Sequence, residues 1–390
     1  MSFRVACLGC RRPLGGAFLP FCPACGEPAE VEYDLENVRL RESDNPYERY
    51  ADLLPVGDRA LLPEGAAATP TVHAERLGDA LGLERLYLKD ETVLPTGTTK
   101  DRMAAVALAY LYERGVRAFA TSSTGNSSTA YAHAISRFPG LVMHLFTAAA
   151  FASRVDVPDT DQVVETVLDG ATFVEAFEAA AEFARHDGVV SEGGFFNPGR
   201  REGLKLAFLE AAEQAPEPID WYVQAVSSAM GVYGVFKAAK ELRRLGLTDR
   251  LPRLLCVQQE TCAPMVSAWE AGSSRIRPED VVARPAGIAT SILRGDPSRA
   301  YPYVHAIVAE SGGTFVAVSE AEIREARELV EELESIRPCF SAAAAVAGAA
   351  KLRRLRRLPA DATVLVNVTG RERAEPAAAR AAERRRAAVS

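Results

Sequence analysis

Residues 86–114 read LYLKDETVLPTGTTKDRMAAVALAYLYER, and the fold follows from how this stretch changes its period. Leu86–Lys89 is a short β-type run, and Pro95 and Gly97 then break the chain into a turn. From Lys100 to Arg114 the apolar residues Met103, Val106, Ala107 and Tyr110 recur at helical spacing. A strand turning through a Gly/Thr loop into a helix is half of a parallel α/β unit. The same grammar extends outward. Ala118–Ser122 reads as a strand, Ser127–Arg137 as a helix and Leu141–Phe146 as a strand. Later come strand Trp221–Val226, helix Gly231–Leu245 and strand Arg253–Gln258. Helices Ala321–Leu333 and Ser341–Leu355 and strand Thr363–Val368 follow near the end. Strands alternating with long helices predict an α/β protein with two open parallel-sheet lobes, each covered on both faces.

Composition narrows the function. The chain has 390 residues, of which 48% are hydrophobic and 25% charged, ordinary values for a globular protein. With 45 basic and 52 acidic residues the formal charge is −7, so no global field attracts nucleic acid. The basic clusters Arg353–Arg357 and Arg384–Arg386 read as a solvated helix face and a frayed basic tail. No apolar run reaches the roughly 20 residues a spanning helix needs, so no membrane role is expected. Met1 passes straight into a cysteine cluster without a signal-like apolar segment, and a reducing cytoplasm is the expected compartment.

Four of the seven cysteines form two CxxC pairs, Cys7/Cys10 and Cys22/Cys25. Thiolates two residues apart on a tight knuckle can face one ion, and two knuckles complete a tetrahedral sulfur site. The spacing predicts a structural Zn²⁺ ribbon. Two disulfides, or a site that has lost its metal, are the alternatives. Sulfur at all four positions leaves no open coordination site, so such an ion would not be catalytic.

Three turns lie where an open α/β sheet presents ligands, between a strand end and the next helix. In PTGTTKDR (Pro95–Arg102), Lys100 opens a helix, whose positive end favours the neutral amine of a Schiff-base nucleophile. A surface lysine at a helix start has the same appearance. In SSTGNSS (Ser122–Ser128), hydroxyls and amides around Gly125 form a nest suited to a carboxylate, and Asn126 adds a donor. The same residues also suit an ordinary N-cap. In AVSSAMG (Ala225–Gly231), backbone N–H groups with Ser227 and Ser228 make a candidate phosphate turn.

Order and spacing together resemble threonine synthase and the wider fold-type II pyridoxal-phosphate enzymes. The resemblance covers nearly the whole chain. It runs from the two CxxC knuckles and VEYDL (Val31–Leu35) through YADLLP (Tyr50–Pro55), LYLKDE (Leu86–Glu91) and NPGRREGLK (Asn197–Lys205). SILRGDP (Ser291–Pro297), RPCFSAAA (Arg337–Ala344) and VNVTG (Val366–Gly370) complete it. It implies that Lys100 binds pyridoxal 5′-phosphate and then moves protons at Cα and Cβ. It implies that Asn126 hydrogen-bonds the cofactor's ring oxygen and Thr369 faces its pyridine nitrogen. Ser227, Ser228, Ala229, Met230 and Gly231 would hold the cofactor phosphate. Ser123, Thr124, Gly125 and Ser127 would seat the substrate carboxylate. Arg201 and Lys205 are candidates to pair with a substrate phosphate, since charge-assisted bonds to phosphate are strong; ordinary surface charges are the alternative.

The resemblance orders the chain as a zinc ribbon over 1–32, an N-terminal lobe over 33–190 and a C-terminal lobe over 191–390. It implies a lyase converting O-phospho-L-homoserine and water to L-threonine and phosphate. The chain also departs from that pattern. Its phosphate turn is poorer in glycine, Arg371 follows Gly370, and Arg337-Pro338 stands where relatives often have Glu-Pro. WYVQAVSSAMG and the segment from Arg250 to Gly272 look closer to the cysteate synthase branch. The alternative is therefore β-replacement on O-phospho-L-serine, or another O-activated serine, with sulfite or another nucleophile, in a specialised pathway. A Ser/Thr dehydratase fits the ribbon less well, and a non-catalytic zinc-ribbon binding protein lacks a strongly basic face. By analogy with the family, the partner is a second copy of the chain and the ligand a small amino acid.

Overall fold

The computed structural model describes residues 3–65, 67–186 and 188–372. The basic cluster Arg384–Arg386 lies outside the described residues. In chain order the strands are β1 (Phe3–Cys7), β2 (Ala29–Tyr33), β3 (Thr71–His73), β4 (Arg85–Asp90), β5 (Ala118–Ser122) and β6 (Val142–Ala148). They continue with β7 (Val163–Leu168), β8 (Val190–Ser191), β9 (Trp221–Ala225), β10 (Arg253–Gln259), β11 (Thr314–Val318) and β12 (Thr363–Val368).

The chain divides into two compact units. The first comprises Met1–Ala67 with Lys100–Gly203, and the second Ala68–Thr99 with Leu204–Glu372. In the first, β1 and β2 pair antiparallel, and a separate parallel sheet runs in the order β7-β6-β5-β8. β7 lies at the edge of that sheet, and none of its residues is fully buried. The second unit holds a six-stranded sheet in the order β11-β10-β9-β12-β4-β3. All its pairings are parallel except β3 against β4. β9 and β12 occupy its middle, and every residue of WYVQA and TVLVNV is buried. That is why they read as near-continuous apolar runs rather than alternating ones. Leu86, Leu88, Val223, Val257, Val364 and Val366 form one core with Ala343, Val346 and Ala347 of the Phe340–Arg354 helix.

The α/β class with parallel sheets is as expected. The compact units differ from the contiguous lobes drawn in the sequence. Residues 68–99 join the second unit, because all six residues of β4 pair with β12, from Arg85 against Thr363 to Asp90 against Val368. The segment 191–203 belongs with the first unit instead. There the Pro198–Leu204 helix lies on the Lys100–Glu113 helix, so closely that a Cβ at Gly203 would come within 2.4 Å of the Arg102 carbonyl oxygen. Most expected elements lie within one or two residues of their observed ends. The Ser127–Arg137 helix is shorter, ending at Ala134 before a 3₁₀ turn over Ile135–Arg137.

Candidate active site

In the first unit, Lys100 opens a fourteen-residue helix, Lys100–Glu113. Burial first, and the nearby Arg200 charge second, draw its ammonium down from an ordinary 10.5 to about 8. Near neutrality a useful fraction of this amine is therefore unprotonated, as a nucleophile requires. Arg200 was not singled out from the sequence. It sits on the Pro198–Leu204 helix and is only 6% exposed. Its Nε bonds the Glu192 carboxylate at 2.5 Å and the Tyr131 hydroxyl at 3.1 Å, and its Nη2 also pairs with Glu192. Glu192 additionally accepts from Tyr131, from Asn197 and from the Gly194 N–H. Burial opposes the Arg200 charge, but Glu192 more than offsets it and raises the guanidinium's pKa. The signal missed was the adjacent pair Arg200-Arg201 in NPGRREGLK, where only the fold decides which guanidinium lies near the lysine.

Arg201 and Lys205, expected as partners of a substrate phosphate, are committed elsewhere. Arg201 is 1% exposed, donates to the Ala29 carbonyl of β2 and lies 4.0 Å from the Glu30 carboxylate. Lys205 is fully buried and bonds Glu241 at 2.8 Å. Buried cations need such partners, and these pairings take both groups away from an incoming ligand.

The Ser122–Ser128 turn leads from β5 into the Asn126–Ala134 helix. Ser123 Oγ accepts from the N–H groups of Gly125 (3.1 Å) and Ser128 (3.2 Å), so this buried hydroxyl braces the turn itself. Thr124, Asn126 and Ser127 are half-buried. Ser127 Oγ lies 3.9 Å from Met103 Sδ, one turn along the helix that Lys100 opens.

In the second unit, Ser227, Ser228 and Ala229 connect β9 to the Met230–Arg244 helix. Ser227 and Ser228 are half-buried, and Ala229 adopts the left-handed conformation (φ 56°, ψ 25°). That conformation costs a residue bearing a Cβ about 1–2 kcal/mol. No side chain caps this fifteen-residue helix, so its first N–H groups are left for another acceptor. Thr369 follows β12 and is half-buried, and its carbonyl accepts from the Thr99 N–H at 2.9 Å. Gly97 and Arg371 are joined in the same way, so the residues just before Lys100 are stitched to the end of β12.

In the ribbon, the sulfur atoms of Cys7, Cys10, Cys22 and Cys25 lie within 4.8 Å of one another. The closest pair, Cys7 and Cys25, is 3.3 Å apart, so the four are free thiols rather than disulfides. N–H donation from Ala24 leads the effects that draw the Cys22 thiol down to about 7, while at Cys25 N–H donation from Glu27 is outweighed by the neighbouring thiols and burial, which push that thiol up to about 11.

A family model for pyridoxal-phosphate dependent enzymes matches residues 62–370, and the chain belongs to that enzyme family. The chain is 31% identical to a threonine synthase of Methanosarcina acetivorans over 329 residues, which is 81% of this chain and 78% of that one. It is 28% identical to a cysteate synthase of Methanosarcina barkeri over 386 residues, covering 95% of this chain and 92% of the relative. Its fold is similar to that of the processed form of threonine deaminase isoform 2 from Solanum lycopersicum. That likeness has a TM-score of 0.65 at 20% identity and covers 85% of this chain and 91% of the other. The protein is thus a fold-type II pyridoxal-phosphate enzyme similar to threonine and cysteate synthases.

Taken unit by unit, the residues suit that cofactor's groups: in the second unit an uncapped helix start and two hydroxyls offer anion donors at Ser227–Gly231. In the first, Lys100 offers an amine that loses its proton near pH 8.

Proposed function

We propose that the protein is a phosphate-eliminating lyase of threonine synthase type, converting O-phospho-L-homoserine and water to L-threonine and phosphate. The observation that carries this reading is the 31% identity to a threonine synthase, which accompanies the PTGTTKDR and STGN turns. Pyridoxal phosphate, when bound, supplies the electron sink that stabilises a carbanion at the substrate. The chain supplies the rest. Lys100 anchors the cofactor through its amine and then carries protons at Cα and Cβ. Thr124, Gly125 and Ser127, at the positive end of the Asn126–Ala134 helix, seat the substrate carboxylate on a turn that Ser123 holds in shape. Asn126 would donate to the cofactor's ring oxygen, and the Ser227–Gly231 turn would hold its phosphate. Thr369 would offer the ring nitrogen a neutral hydroxyl rather than a carboxylate, a tuning that would favour elimination and replacement over transamination. Arg201 and Lys205 have no part in this proposal, because internal pairs consume both charges. Cys7, Cys10, Cys22 and Cys25 hold a structural zinc ion, and the working form is a cytoplasmic homodimer.

Incubating the cofactor-loaded protein with O-phosphohomoserine tests the reading. Equimolar phosphate and threonine are expected, and release of neither overturns it. A second reading is favoured by the cysteate synthase match over 95% of the chain. Under it the enzyme replaces the phosphate of O-phosphoserine with sulfite, and cysteate formed from that pair, with no product from phosphohomoserine, selects it.

A further inference from the structure

Beneath the Ser227–Gly231 turn lie three polar side chains that the proposed mechanism does not use. Tyr222 and Gln224 stand two residues apart on β9, hence on one face of the strand, and Asn367 is on neighbouring β12. They are 1%, 8% and 3% exposed, a setting in which most polar groups are hydrogen-bonded. The Tyr222 hydroxyl donates its one proton to Gln224 Oε1 at 2.6 Å and accepts from Asn367 Nδ2 at 2.8 Å. Asn367 Oδ1, at the end of the relay, is buried without a hydrogen-bond partner. With its oxygen bonded to Tyr222, Gln224 lays its amide, Nε2 and Oε1 alike, against the start of the Met230–Arg244 helix. A Cβ built on Gly231 would stand 2.8 Å from that Nε2 and 2.9 Å from Oε1. The backbone of the turn therefore rests directly on the Gln224 amide. At the other end of the relay, Asn367 lies two residues before Thr369.

We propose that Tyr222, Gln224 and Asn367 are positioning residues. Their hydrogen-bonded relay holds the Ser227–Gly231 turn in register with the end of β12, so that phosphate donors and Thr369 meet one cofactor at a fixed separation. The proposal rests on the assignment of that turn to the cofactor phosphate. A turn without a side-chain cap of its own needs support from below, and the relay provides it.

The test uses the full chain carrying Lys100→Ala, in which pyridoxal phosphate binds without a covalent link and its affinity reports the cradle alone. Adding Tyr222→Phe is expected to raise the cofactor Kd roughly tenfold and to shift or broaden the phosphorus resonance of the bound phosphate. An unchanged Kd and resonance, with only a lower melting temperature of the apo protein, would overturn the proposal. If Tyr222→Phe does not fold, a double-mutant cycle decides. Gly231→Ala should weaken binding in the parent but add little in a Gln224→Ala background, because the space it needs is then open. Additive effects contradict the relay. Ser228→Ala separates the two levels. If it and Ser227→Ala leave the Kd unchanged, the turn does not hold the cofactor and the proposal falls with its premise. If they weaken binding while Tyr222→Phe does not, only the relay fails.

Discussion

The Ser122–Ser128 and Ala225–Gly231 turns each carry a parallel strand into a helix, one in each compact unit, yet they are stabilised in opposite ways. The first is braced from within. Ser123 Oγ takes two backbone N–H groups, and Ser128 Oγ donates to the Gly125 carbonyl at 3.0 Å. The second has no side-chain cap, holds Ala229 in a left-handed conformation and lies against the Gln224 amide. A turn that spends a hydroxyl on itself keeps its shape without a ligand. A turn supported from below keeps its hydroxyls and its backbone donors for one. Both are rich in serine, and in the sequence they looked alike.

The largest expected effect concerns what lies behind the first turn. Tyr131, on the helix that this turn starts, joins the buried Arg200–Glu192 pair. Glu192→Ala leaves the Arg200 charge buried without its carboxylate and should cost about 3–5 kcal/mol in denaturant melts. A loss within error of zero would remove the pair from the account.

The two turns can then be set directly against each other. Ser123→Ala orphans two backbone donors and should destabilise the apo protein by about 1–3 kcal/mol. Ser228→Ala should leave apo stability unchanged and weaken cofactor binding instead. Equal melting losses in both variants would break the contrast.

Lys100 gives a pH signature. Its pKa is about 8 in the folded chain against an ordinary 10.5, so between these values the unfolded chain holds a proton that the folded chain has released. Stability of the apo protein should therefore rise with pH across that window. The rise should be absent in Lys100→Met, and stability curves of equal slope for the two proteins would contradict it. The smallest effect belongs to Ala229→Gly. Relief of the left-handed strain and the added entropy of glycine in the unfolded chain nearly offset each other, leaving a change below about 1 kcal/mol in the melt.

Much of this organisation was legible in the sequence, because strands and helices declare themselves over short distances. β5 and β12 occur at the residues the pattern indicated, and the helix opened by Lys100 needed only its own periodicity. The membership of residues 68–99 in the second unit was not legible. It depends on β4 pairing with β12 across more than 270 residues, which no local pattern encodes. The same limit explains the charged residues. Arg200, Arg201 and Lys205 look interchangeable in NPGRREGLK, and only packing assigns one to Glu192, one to β2 and one to Glu241. Tyr222, Gln224 and Asn367 read as strand residues, since a buried relay is invisible until both strands are side by side.

The central claim is that Lys100 carries the cofactor, and borohydride reduction of the loaded protein followed by peptide mass spectrometry tests it most directly. Reduction fixes the cofactor on whichever amine holds it. The account predicts the pyridoxyl phosphate mass on the peptide containing Lys100 and on no other. Label on Lys89 or Lys205, or none on any lysine, would contradict it.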